Sequence, residues 1–95
     1  MSEERSWTFL SNHAHVLICL AADPISRQRD LATRVGVTER AISGIISDLE
    51  GGGYLRRERV GRRNRYTVLR RGQLRHPLEA HQSVGQLLDA VKVVP

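Results

Sequence analysis

The apolar positions change their spacing several times along the chain, and each change marks an element. NHAHVLICLAA, Asn12 to Ala22, reads as a helix. Ser11 or Asn12 can cap it by accepting a free backbone N–H, and Asp23-Pro24 ends it because the residue before proline avoids the helical region. The run VLICLAA is apolar nearly all round, which predicts burial on more than one side. In so small a domain, that points to cover by a second subunit. Ser26 is placed to cap a second, short helix over about Arg27 to Val35, with Leu31, Ala32 and Val35 on its inner face. Gly36 stops that helix, since glycine adopts the left-handed conformation a sharp turn needs, and Val37 follows as a buried plug. Thr38 caps a third helix running to about Glu50. Its apolar residues Ile42, Ile45, Ile46 and Leu49 recur at i, i+3, i+4, i+7, a single stripe. Gly51-Gly52-Gly53 ends it.

Beyond the glycines the period changes. Tyr54 to Val60 and Arg65 to Leu69 read as two strands around a GRRN tip. Pro77 then suits the first position of a last helix, where its missing N–H costs nothing, running to about Val91. Leu78, Val84, Leu87, Leu88 and Val91 give that helix an apolar face too large for a tail with nothing to pack on. With Leu17 and Leu20 of the first helix, they form the predicted dimer interface. The first residues, to about Arg5, are polar and expected to fray.

Two short helices joined at a glycine and followed by a hairpin make a helix–turn–helix with a wing. The spacing supports it. Ala32 is small where the helices cross, Gly36 makes the turn four residues on, and Ile42 and Ile45 anchor the second helix. The predicted class is α+β, mostly helical. One domain spans residues 1–95, with a winged helix–turn–helix over 7–71 and a C-terminal dimerisation helix over 76–92. A chain of 95 residues has room for one core and not two.

Charge sharpens this picture. The chain carries fifteen basic and ten acidic residues, net +5. The excess is local: Tyr54 to Arg71 holds Arg56, Arg57, Arg59, Arg62, Arg63, Arg65, Arg70 and Arg71 against Glu58 alone. A basic block on a compact domain suits a polyanion. The third helix turns Arg40, Ser43, Gly44 and Ser47 away from its isoleucine stripe. Glu39 and Glu50 lie toward its flank, so the centre of that face is free of carboxylates. Such a face suits a DNA major groove, where a carboxylate over phosphates would be repelled. Thr38 and the backbone N–H groups beside it can meet a phosphate. Arg62, Arg63, Asn64 and Arg65 on the wing can lie along phosphates or enter a narrow minor groove, which concentrates negative potential. Strand alternation sends some of Arg56, Arg57 and Arg59 to the other face.

The segment RDLATRVGVTERAISGIISDLEGGGYLRRERVGRRNRYTV, Arg29 to Val68, resembles the winged helix–turn–helix transcription regulators of bacteria and archaea, of the MarR and ArsR kind. With flanking helices the similarity spans Trp7 to Val91. The resemblance implies that ATRVGVTERAISGII is the helix–turn–recognition-helix core and that DLEGGGYL joins recognition helix to wing. It also implies a homodimer on a palindromic double-stranded operator, paired through its terminal helices. Metal-sensing ArsR-type proteins carry cysteines at the recognition-type helix; Thr38 to Glu50 has none. No effector is specified.

Other chemistry finds little footing. His76 and His81 lie five apart, not the four that puts two ligands on one helix face. Together with His13 and His15 they read as packing, capping or interface polar contacts. Cys19 stands alone in an apolar run and reads as a small core residue. No phosphate loop, paired catalytic carboxylates or Ser/His/Asp arrangement is evident, so neither an enzyme nor a cofactor is expected. With no membrane-length apolar run and no secretory leader pattern, a cytoplasmic protein is the default. The rival to operator binding is a winged helix serving protein interaction or RNA.

Overall fold

The computed structural model describes residues 6–92. Residues 1–5, where fraying is expected, and 93–95 lie outside the described residues. The elements run α1 (Asn12–Ala22), α2 (Gln28–Val35), α3 (Glu39–Gly51), β1 (Leu55–Val60), β2 (Arg63–Val68) and α4 (Val84–Ala90). Four helices and a two-stranded antiparallel hairpin make a winged helix.

Ser11 caps α1, its hydroxyl accepting from the Ala14 N–H at 3.3 Å. Thr38 caps α3 through the Ala41 N–H at 3.0 Å. Between α2 and α3, Gly36 sits at φ 87°, and the Ala32 carbonyl accepts from both Gly36 and Val37. That left-handed residue lets the chain reverse and drop Val37 against the core.

Ser26 behaves differently from its predicted role. Its hydroxyl donates back to the Asp23 carbonyl at 2.9 Å. The N-cap position of α2 falls on Arg27, and no side chain caps this helix. The Asp23 carboxylate accepts from the Ile25 N–H, so Asp23 to Ser26 closes as a turn and consumes the serine.

The hairpin is longer than expected at its second strand. Register runs from Leu55 opposite Val68 to Val60 opposite Arg63, so only Gly61 and Arg62 remain as the turn. Gly61 takes φ 61°, the glycine-first arrangement of a two-residue hairpin turn. Arg63 and Asn64, assigned by sequence to the tip, are therefore strand residues.

The core joins Val16, Leu17, Cys19 and Leu20 of α1 to Leu31 and Ala32 of α2 and to the α3 stripe Ile42, Ile45, Ile46 and Leu49. Leu55, Tyr66, Val84 and Leu88 complete it. α1 is the central rod, packed on α2, α3, β2 and α4. That accounts for its all-round apolarity within one chain and removes the need for a second subunit to cover it.

The largest departure is at the C-terminal end. The predicted helix from Pro77 does not continue: His76 to Gln82 forms consecutive turns, and α4 begins only at Val84. Two local causes are visible. Ser83 and Gln86 form a reciprocal capping box, which starts a helix there. Before it, Gln73 bridges Ser83, the Leu74 N–H donates to the Gln82 carbonyl, and the Val84 N–H donates to the Gly72 carbonyl. These bonds pin residues 72–84 as a loop that folds back on itself. Arg70 fastens α4 further, donating to the Gly85 carbonyl at 3.2 Å and to Asp89 at 2.7 Å. Among the described residues, no helix is long and apolar enough to cross a membrane.

Candidate nucleic-acid interface

On α3 the side chains expected to face inward are buried and those expected to face outward are exposed. On α3, Ile42, Ile45, Ile46 and Leu49 are buried, while Thr38, Glu39, Arg40, Ser43, Gly44 and Ser47 are all exposed. A Cβ added at Gly44 would meet nothing within 4 Å. Internal packing therefore does not require this glycine.

The flank of that face is organised by partners the sequence did not reveal. Asp48 meets the His13 Nε2 at 2.8 Å. Glu50 meets the Arg57 Nε at 3.2 Å. Glu39, the remaining carboxylate of α3, sits in the first turn, where the helix dipole favours it. The carboxylates of α3 are thus held at its edges, two of them by basic side chains from α1 and β1. No periodicity within α3 could signal partners that lie on other elements.

The wing sorts its arginines by strand alternation. Leu55, Arg57 and Arg59 share a face with their partners Val68, Tyr66 and Asn64; Arg56, Glu58 and Val60 share the other with Thr67, Arg65 and Arg63. Tyr66 is buried, and its N–H donates to the Pro24 carbonyl at 2.9 Å, docking β2 on the connection between α1 and α2. Arg62 and Arg65 are exposed; Asn64 is half-buried. Arg63 is not a free tip residue. It is half-buried, and its guanidinium donates to the Ile25 carbonyl at 3.0 Å. Arg59 turns toward the Gly61 carbonyl at 3.1 Å. The arginines free to extend from the wing are thus Arg62, Arg65 and Arg56, and the exposed Glu58 lies opposite Arg65 in the register.

The residues predicted for a dimer interface divide into two groups. Leu17, Leu20, Val84 and Leu88 belong to the chain's own core. Leu78 is 80% exposed, while Leu87 and Val91 are half-buried. An open groove lies nearby, lined by Phe9, Leu10, Ala14, Leu17, Leu74 and Leu87, with Ser47 and Asp48 of α3 at its border. Phe9 is 91% exposed, and its ring meets that of Trp7 edge-on at 5.0 Å.

Three of the four histidines, His13, His15 and His76, make polar contacts. His13 pairs with Asp48, the His15 Nδ1 lies 3.1 Å from Asn12, and the His76 Nδ1 accepts from the Leu78 N–H. No cluster of three or more His, Cys, Asp or Glu able to hold a metal occurs among the described residues. Cys19 is buried in the core.

No protein-family model and no curated protein sequence matches the chain. Solved structures do match. The PcaV transcriptional regulator from Streptomyces coelicolor is 33% identical over 61% of this chain and 45% of its own, with a TM-score of 0.53. In complex with its natural ligand, PcaV aligns over 86% of this chain and 59% of its own at 27% identity, TM-score 0.56. ZitR from Lactococcus lactis, a zinc-responsive MarR family member, shares the fold at 19% identity over 68% of this chain and 46% of its own, TM-score 0.53. The chain spans about half the length of the structures it matches. Its winged helix is MarR-like, in agreement with the resemblance carried by Arg29 to Val68.

Proposed function

We propose that this chain is a sequence-specific, double-stranded DNA-binding transcription regulator, and not an enzyme. In this reading α3 enters the major groove, with Arg40, Ser43 and Ser47 facing base edges. Thr38, Glu39 and Gly44 lie at the same contact, Thr38 offering hydroxyl and backbone N–H to a phosphate. Arg62 and Arg65 extend from the wing to flanking phosphates or the minor groove, and Asn64 and Arg63 support them from β2. The observation that carries the proposal is the exposed, carboxylate-free centre of α3 together with a wing that presents Arg56, Arg62 and Arg65 to solvent. The likeness to PcaV, a transcriptional regulator, supports it.

The protein acts as a homodimer in this account, as the resemblance implies. The surface left for pairing is the exposed Leu78, the half-buried Leu87 and Val91, and the groove beside Phe9 and Leu10. Leu17, Leu20, Val84 and Leu88 support that surface from beneath. Leu78 and Phe9 leave large apolar side chains open to solvent, as interaction surfaces do.

The test is binding to labelled duplexes at rising salt. A complex built on several phosphate contacts weakens linearly on a logarithmic salt axis, by about 0.9 per phosphate neutralised. Binding that ignores salt, or that prefers RNA or a protein partner to every duplex, would move the assignment to the rival module.

A further inference from the structure

The two carboxylates in the second half of α3 are neutralised in different ways. Asp48 lies one turn beyond Gly44 and Glu50 three residues beyond Ser47, so they flank the outward face on opposite sides. Glu50 meets Arg57 at 3.2 Å, and a guanidinium stays charged at every physiological pH. Asp48 meets His13 at 2.8 Å, and an imidazole changes its charge within that range. One flank of the face is therefore neutralised permanently and the other conditionally.

The surroundings leave that condition to one pair. His13 projects from α1 at the border of the open groove beside Phe9 and Leu10. The other titratable or charged groups in the groove's lining are Asp48 of α3, Tyr54 ahead of β1, and Arg75, His76 and Glu79 of the loop after β2. α2 and β2 contribute none, and α4 contributes only Leu87. The Tyr54 hydroxyl donates to the Gln73 carbonyl at 2.6 Å, and His76 accepts from the Leu78 N–H. Among the described residues, His13 forms an ion pair with Asp48 alone. The two side chains are 45% and 69% exposed, so water and protons reach both. The Nε2–H donates to the carboxylate in the protonated ring and in one tautomer of the neutral ring. Titration can thus change the charge of the pair without breaking the contact.

We propose that the His13–Asp48 pair is a proton switch on duplex affinity, an inference that rests on the DNA-binding reading. With His13 protonated, the pair sums to zero charge and this flank of α3 does not oppose the phosphates. With His13 neutral, the Asp48 carboxylate stands uncompensated beside them and repels them. A bound duplex brings negative charge toward the ring, which favours its protonated form. Binding therefore takes up protons at His13, strengthens on acidification and weakens as pH rises through the imidazole range. The Glu50–Arg57 flank does not change over the same interval.

The test is the affinity of the full chain for a labelled mixed-sequence duplex from about pH 5.5 to about pH 8, at one low ionic strength. The share of the change that belongs to His13 should be about twofold to fivefold. His13→Gln keeps a hydrogen-bond donor without a titrating charge; its profile should flatten at the weak, high-pH level. His13→Lys stays charged throughout; its profile should flatten at the strong, low-pH level. A contact that merely positions α3 would not give two flattened profiles at different heights. His15→Gln and His76→Gln should keep the parent's dependence on His13. Calorimetry in two buffers of unlike ionisation enthalpy should show proton uptake on binding, reduced in both His13 variants. Circular dichroism checks that each variant is folded. A folded His13→Gln variant with a profile as steep as the parent's overturns the proposal, as does steepness lost only in His76→Gln. Absence of binding to any duplex at any pH would instead overturn the DNA-binding reading, and the switch with it.

Discussion

The Nε2 of His13 lies 2.8 Å from the Oδ2 of Asp48, across 35 residues of sequence, so that α1 grips the second half of α3 at the edge of its exposed face. Both side chains are well exposed, and exposed pairs of this kind contribute about 0–1 kcal/mol. Asp48→Asn should accordingly leave the midpoint of chemical denaturation almost unchanged. It should raise affinity for any duplex by removing a negative charge beside the groove-facing side chains. A large loss of stability, or weaker duplex binding, would show that the contact positions α3 rather than trims its charge.

Gly44 separates stability from function. Nothing lies within 4 Å of an added Cβ, and alanine in a helix interior is favoured over glycine by about 0.5–1 kcal/mol. Gly44→Ala should therefore stabilise the protein by that amount in denaturant unfolding. If the glycine serves close approach to DNA, the same variant should bind its preferred duplex more weakly. Gain of stability with unchanged affinity would reduce Gly44 to an exposed position without a role.

The wing predicts a contrast between neighbours. Arg62 and Arg65 are exposed, whereas Arg63 donates to the Ile25 carbonyl. Replacing Arg62 and Arg65 together by alanine should preserve folding and reduce the salt slope of duplex binding by about two. Arg63→Ala should in addition lower thermal stability, since it removes a link between β2 and the connection ahead of α2. Equal thermal stability of the two variants would contradict the assignment of Arg63 to the base of the wing.

The C-terminal segment gives the sharpest test of the fold. Leu88 is 6% exposed and Leu78 is 80% exposed, although sequence alone assigns them to one apolar face. Leu88→Ala should cost about 2–5 kcal/mol, a large part of the stability of a domain this size. Leu78→Ser should leave the monomer's unfolding unchanged. If Leu78 lies in the subunit interface, sedimentation should show a weakened dimer; an unaffected dimer would exclude it from that interface.

These contrasts also mark what could be read before the structure. The bounds of α1, the turn at Gly36 and the two faces of α3 follow from periodicity and capping alone, because each is set by residues close in sequence. At the C-terminal end the sequence alone reads one long helix, because Pro77 suits a first helical position and Leu78, Val84, Leu87, Leu88 and Val91 fit one apolar face. The competing signal, Ser83 with Gln86 three residues on, was present but could not be ranked above it. What decides between them is the backbone pairing of Gln73 and Leu74 with Gln82 and Ser83. The same limit hid the partners of Asp48 and Glu50 and the docking of Arg63, all of which depend on side chains from other elements. The empty cap of α2 was hidden differently: Ser26 was the right residue type, but Asp23 closed a turn that used its hydroxyl.

Whether α3 reads DNA sequence in a dimer is decided by selecting bound duplexes from a random pool. An inverted repeat should be enriched, its half-sites about 10 bp apart, centre to centre, one helical turn. Substitutions at Arg40 or Ser47 should shift the bases chosen within each half-site. A pool that remains random after repeated rounds, with the protein folded and binding, would contradict sequence reading by α3.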